Sequence, residues 1–312
     1  MNRRDLITGL SGAAAANVAA ASSASAAPAQ LAGTDYVSTG PYLDYLTRGN
    51  IAGGSNVRID AKGVIQVQRG ATWVYNPVTI SQYGLQQFSY YRRDASAAAL
   101  HKAVVQAGWL LANQEKPSGL WRYNYAFGVG GMSETLAAGW ASAMAQGQAM
   151  SLLTRIGSAY PTKPGYVTGA RLALQPLLKP VSQGGLSAKF HGLTYLEEYP
   201  TLTAPTFALN GFQFTLIGLW DLAAAGDSGA RALFQECLAT MIYALPHHDA
   251  ITTSAYHLGH LTKPARKIHH AAHYHRIHVL LLDALQSVAP NAVITFYADL
   301  WRTYPAMDPS TW

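Results

Sequence analysis

The sequence predicts a mainly α fold, an (α/α) toroid or incomplete barrel of antiparallel helix hairpins with a short N-terminal β-hairpin segment. Three observations carry that prediction. From about residue 80 onward, apolar residues recur at helical spacing through successive segments. Gly- and Pro-containing joins separate most of these segments, and joins so short make neighbouring helices reverse and pair. Strand-like alternation is confined to residues 57–69.

Taken in order, residues 1–26 read as a twin-arginine-type signal peptide. Arg3 and Arg4 precede a weakly apolar Ala/Gly/Ser stretch, and Ala24, Ser25 and Ala26 offer small residues at a cleavage point. Asn17 and several serines make the stretch too polar for a membrane span. A periplasmic or secreted protein is therefore expected. The single cysteine, Cys237, allows no internal disulfide and reads as a small apolar helix residue. Residues 27–80 form an N-terminal extension. In it, 57–60 and 64–69 flank Gly63 as a β-hairpin, and Asn76-Pro77 stops the extended chain. Residues 81–312 form the helical domain, with helices expected at 95–113, 135–160, 165–178, 208–225, 228–244, 271–288 and 291–302. Longer connections at 114–134, 180–207 and 246–270 hold most of the Tyr, His and Glu. Function concentrates in such loops.

Composition narrows the function classes. The 312 residues are 49% hydrophobic and 12% charged, which excludes disordered, collagenous and disulfide-framework proteins. The net charge of +6 comes without a run of five Lys/Arg, so nucleic acid is not the expected partner. An acidic glycan fits the sign of the charge, and a surface rich in neutral polar groups and tyrosine suits a sugar. The glycines at 128, 130 and 131 follow no clear strand and lack a P-loop Lys, so they read as a turn or lid. No G-x-S-x-G is present, which disfavours an α/β-hydrolase.

Three constellations could carry chemistry. In Glu197-Glu198-Tyr199-Pro200 adjacent carboxylates point different ways, so at most one faces a given site, and Pro200 pushes Tyr199 toward an extended backbone. Asn210 opens an apolar helix as a cap or early-turn residue. The stretch 247–278 is rich in histidine, with Tyr256 and Tyr274. On a helix Tyr274 shares one face with His270 and His278, and His275 shares another with His278. No HExxH and no carboxylate or thiol stands at ligand spacing, so no metal is expected. The alternative is an acid/base wall of His and Tyr with Lys263, Arg266 and Lys267.

Five pieces, in order, resemble the D-glucuronyl C5-epimerases. They are 76–85 (NPVTISQYGL), 139–148 (GWASAMAQGQ), 197–200 (EEYP), 209–212 (LNGF) running on to 218–222 (GLWDL), and 274–278 (YHRIH). The chain looks like a compact bacterial form of the family's helical catalytic domain. The resemblance implies a helical barrel with a glycan cleft, an acidic polysaccharide such as a heparosan-like chain as partner, no cofactor, and frequently a homodimer. By motif it implies catalytic roles for Tyr199, Tyr274, Tyr256 and Glu198. Substrate contacts are expected from Gln82, Tyr83, Gln146, Gln148, Asn210, His260, Arg266, His275 and His278. The third tyrosine motif departs from the family pattern: 256–260 reads YHLGH, with Gly259 where the family has arginine.

That chemistry suits these residue types. The C5 hydrogen of a uronate is α to a carboxylate, so its removal builds a dianion that needs donors or cations. A base on one face and an acid on the other invert the centre. Tyr199 and Tyr274 are expected on opposite faces, with Tyr256 assisting. Nearby His275, His278, Arg266 and Lys267 are expected to lower the phenol pKa values. Loss of the O4 substituent after the same abstraction would instead make a polysaccharide lyase. A non-catalytic glycan-binding protein is the alternative from another class. A glycosidase would need two flanking carboxylates, and the pair Glu134 and Glu198 has no motif behind it.

Overall fold

The computed structural model describes residues 35–129, 132, 134–269 and 272–307. The leader expected at 1–26, Gly130, Gly131 and His270 lie outside the described residues. The protein is mainly α. Its helices are α1 (Pro77–Asp94), α2 (Ala97–Asn113), α3 (Ala143–Ala159), α4 (Gly165–Leu174), α5 (Leu209–Ala224), α6 (Ser228–His248), the short α7 (Gly259–Thr262), α8 (Ala272–Val288) and α9 (Ala292–Arg302).

Local signals explain where these helices start and reverse. Asn76 caps α1 by accepting from Thr79 N at 3.1 Å, and Pro77 fits the first turn, where no N–H is needed. Ala95, with φ 53°, ends α1, and Ser96 caps α2, so two residues reverse the chain. Asp227 caps α6 and Asn291 caps α9 after joins of three residues.

The packing forms two rows. Helices α1, α3, α5 and α8 lie side by side in that order, and α2, α4, α6 and α9 each cover the helix before them. Among the described residues no comparable packing joins α8 back to α1, so the ring is open. Glycines set the closest approach: a Cβ on Gly218 of α5 would stand 2.1 Å from Gly147 O of α3. Below this contact Arg155 of α3 and Asp221 of α5, both fully buried, pair at 2.5 Å. Arg155 also donates to Gly40 O, Val37 O and the Tyr36 hydroxyl, while Tyr36 donates to Asp221. The ion pair thus clamps the N-terminal segment onto the inner row. Cys237 is buried in α6.

Among the described residues three short antiparallel sheets decorate the helices. The expected hairpin gains a third strand: β1 (Val57–Ile59), β2 (Ile65–Arg69) and β3 (Thr72–Val74). Val57 pairs with Val67, and Arg69 with Thr72 across the two-residue Gly70-Ala71 turn. Residues 135–142 are not helical as expected. β4 (Phe127–Gly128) pairs with β5 (Thr135–Leu136), and Gly139, at φ 95°, holds a backbone that a helix cannot contain. The connection 180–207 carries β6 (Ser187–Phe190) and β7 (Leu193–Leu196). They are joined by His191 and Gly192, both at positive φ as a tight hairpin turn requires.

Candidate active site

Strand β7 delivers two adjacent glutamates with opposite surroundings. Glu197 turns inward and accepts from Thr206 N at 2.9 Å, Thr206 Oγ1 at 2.7 Å and Phe207 N at 3.0 Å. Its carbonyl also receives Ala143 N, the first residue of α3. Glu198 faces a cavity on the other side. Gly211 makes room for it, since a Cβ there would lie 2.4 Å from Glu198 Oε2. Burial pushes the Glu198 carboxyl up to about 7, although the Tyr199 and Tyr256 hydroxyls favour the ionised form.

The tyrosines gather around this carboxyl. The Tyr199 and Tyr256 hydroxyls are 2.8 Å apart, and Tyr256 Oη lies 3.4 Å from each Glu198 oxygen. The Tyr274 ring, on α8, packs 4.3 Å from the Tyr256 ring. Backbone bonds Leu209 N to Tyr256 O and Tyr256 N to His269 O tie the 250s loop to the start of α5. Burial, followed by the Glu198 charge, raises all three phenols above the ordinary tyrosine range. The expected lowering by cations is therefore reversed: burial dominates, Arg266 is taken up by Glu134 and backbone carbonyls, and His275 and His278 face Ser254.

Glu198, Tyr199 and Tyr274 line a cavity of about 330 Å³ with Gln82, Asn210 and an aromatic wall. In that wall Tyr123 stacks on Trp140 at 3.8 Å and Phe127 stacks on Tyr199 at 5.6 Å. Flat ring faces of this kind suit the apolar faces of sugar rings. Arg48, Arg69 and His273 complete the polar lining.

The remaining residues expected at the site stand outside this lining. Tyr83 is buried in α1. Gln146 is a strut: its amide donates to Gly119 O at 2.9 Å and Ala173 O at 3.0 Å and accepts from Trp121 N. Gln148 is fully buried in α3. His260 sits half-buried on α7. His275 and His278 turn away from the cavity toward Ser254, whose Oγ is 2.8 and 2.6 Å from their Nδ1 atoms. Arg266 is buried and donates to Glu134 and to the carbonyls of Ala204 and Pro205. With Lys263 it holds the Glu134 carboxyl down at about 2. Among the described residues no three His, Cys, Asp or Glu side chains form a metal-binding group.

Several lining residues escaped the sequence reading. Asn76, Trp140 and Ser142 lie inside the quoted motif stretches, so the motifs held a signal for them. Tyr123, Tyr125 and Phe127 fall in the tyrosine-rich connection 114–134. Arg48 and Arg69 carried no signal, because nothing local distinguishes them from other surface arginines.

Fold and site together define a protein of paired helices with a sugar-sized, aromatic-walled cavity backed by a carboxyl–phenol network. The family described as D-glucuronyl C5-epimerase C-terminus matches residues 114–303. The D-glucuronyl C5-epimerase of Caenorhabditis elegans is 32% identical over 226 residues, covering 68% of this chain and 36% of that relative. The chain belongs to the D-glucuronyl C5-epimerase family and spans about a third of that relative's length.

Proposed function

We propose that the protein is an isomerase that inverts C5 of glucuronate units in an acidic, heparosan-like polysaccharide. The observation that carries this reading is the network Glu198–Tyr256–Tyr199, with Tyr274 against Tyr256, at the wall of a sugar-sized cavity.

The mechanism follows proton by proton. Near neutral pH a fraction of Glu198 is ionised. It takes the Tyr256 proton, and Tyr256 takes the Tyr199 proton, leaving a phenolate at Tyr199. That phenolate removes the C5 hydrogen, and the C–H electron pair moves into the C5–C6 bond as an enediolate. The Tyr274 hydroxyl then donates its proton to the opposite face of C5. Tyr256 stands between the two partners, so the proton held at Glu198 returns through it to Tyr274 and the site is reset. Phenols kept neutral by burial serve the donor step directly. The carboxylate gives the Tyr199 proton a place to go, an uphill transfer because both phenols titrate above Glu198.

The test is proton NMR of heparosan incubated with the protein in D2O, with ultraviolet absorbance followed in parallel. Deuterium at C5 with new iduronate signals and flat absorbance is the expected result. Rising absorbance from a C4–C5 double bond would make the protein a lyase. No exchange with any glucuronate polymer, but retained binding, would make it a glycan-binding protein.

A further inference from the structure

A uronate brings a carboxylate into the cavity, and its charge grows as C5 loses its proton. Some cation must meet it. Arg266 and Lys263 are poorly placed for that task. Arg266 fills the space beside Gly259, where a Cβ would stand 3.0 Å from its Cδ. Its guanidinium is spent on Glu134, Pro205 O, Ala204 O and Thr262 Oγ1. Lys263 pairs with Glu134 at 2.8 Å. Neither lines the cavity. His273 does, but burial pushes its imidazole down toward the neutral form.

The arginines that line the cavity are Arg48 and Arg69, both from the segment before α1 and outside the matched stretch 114–303. Arg69 is the better held. It ends β2, is paired with Thr72 across a two-residue turn, and stands 5.4 Å from the centroids of both Tyr125 and Phe127. Phe127 in turn stacks on Tyr199. No ion pair joins Arg69 to a carboxylate among the described residues. The guanidinium lies over the rings and bonds the Tyr125 hydroxyl, and its planar fork can still give a carboxylate a two-pronged bond.

We infer that Arg69 binds the carboxylate of the glucuronate unit in the cavity, making it the specificity-determining cation of the site, with Arg48 as a second cation on the same rim. This rests on the C5 reading above and names what recognises the acid group.

The test uses Arg69→Met, which keeps the stem over the rings and removes the charge, and Arg69→Lys, which keeps the charge. Arg58→Met is the control, since Arg58 lies over Trp73 and does not line the cavity. Calorimetry measures binding of heparosan and of carboxyl-reduced heparosan, and C5 exchange in D2O is timed alongside. Arg69→Met should weaken heparosan binding and leave the reduced polymer unaffected. It should lower kcat/KM for exchange by about 100-fold, with Arg69→Lys in between and Arg58→Met unchanged. Equal weakening toward both polymers, or wild-type behaviour of Arg69→Met, would overturn the assignment. If the wild-type protein exchanges no C5 hydrogen, the isomerase reading fails by itself, and the two-polymer comparison still decides the role of Arg69.

Discussion

Two buried polar clusters, one of histidines around Ser254 and one of tyrosines around Glu198, use burial to different ends. In the first, His275 accepts from Ser254 N at 2.8 Å and its Nε2 lies 2.9 Å from Trp301 O. His248 Nδ1 lies 3.0 Å from Ala255 O. Burial pushes these imidazoles down, His248 to about 3, so they stay neutral at physiological pH and tie α8 and α9 to the loop after α6. In the second cluster burial moves a carboxyl up to about 7, where it titrates, and the Tyr256 hydroxyl lies a loose 3.4 Å away. The difference lies in access. The histidines bond Ser254 and the backbone away from the cavity, whereas Glu198, Tyr199 and Tyr274 face space that a ligand can fill.

The largest expected effect belongs to the tyrosines. Tyr199→Phe and Tyr274→Phe should each cut turnover by about 1000-fold, with an unchanged circular dichroism spectrum. Full activity in both would remove the chemical half of the contrast. Glu198→Gln comes next, with a loss of about 100-fold in exchange rate. Its stability should move the other way. Because the folded carboxyl titrates near 7 and the unfolded one near 4.5, wild-type stability falls as pH rises through that window. The glutamine variant escapes a penalty of about 3 kcal/mol at pH 8, readable by urea denaturation at pH 4 and pH 8. In active wild-type protein kcat/KM should rise as pH passes through about 7 and level off above it.

His275→Ala should behave oppositely, losing about 3 kcal/mol of stability while the folded fraction turns over within about twofold of wild type. Lost turnover with unchanged stability would give the histidine cluster a function and collapse the comparison. The smallest effect concerns the neighbouring carboxylate. Thr206→Val removes one of the three donors to Glu197 and should cost about 1 kcal/mol with little change in rate.

The helices were legible because period, caps and short joins agree: Ser96, Asp227 and Asn291 all cap where the pattern starts. Two errors of reading had local causes. Gly139 at positive φ broke an apolar stretch that otherwise continues the α3 pattern, and the His191-Gly192 turn lacks the usual Asn-Gly signature. In the site, the family resemblance pointed to Glu198, Tyr199, Tyr256 and Tyr274. Their mutual geometry was not legible, because it depends on a loop 57 residues away folding back on β7. Buried amides were the hardest to read. Gln146 and Gln82 look alike in sequence, yet one braces two backbone segments and the other faces the cavity. Arg69 reaches the tyrosines only through the docking of a small sheet, which no nearby residue announces.

The Arg155–Asp221 clamp has a kinetic corollary. Tyr36 meets partners 119 and 185 residues further along the chain, a closure of high contact order. Such a contact can form only after α3 and α5 have docked, because each supplies one of its charges. The segment it captures leads straight to Arg48 and on to β2. During folding the tyrosine wall should therefore be assembled before the cationic rim, and a pulse-labelling hydrogen-exchange experiment should find the amides of residues 36–69 protected last.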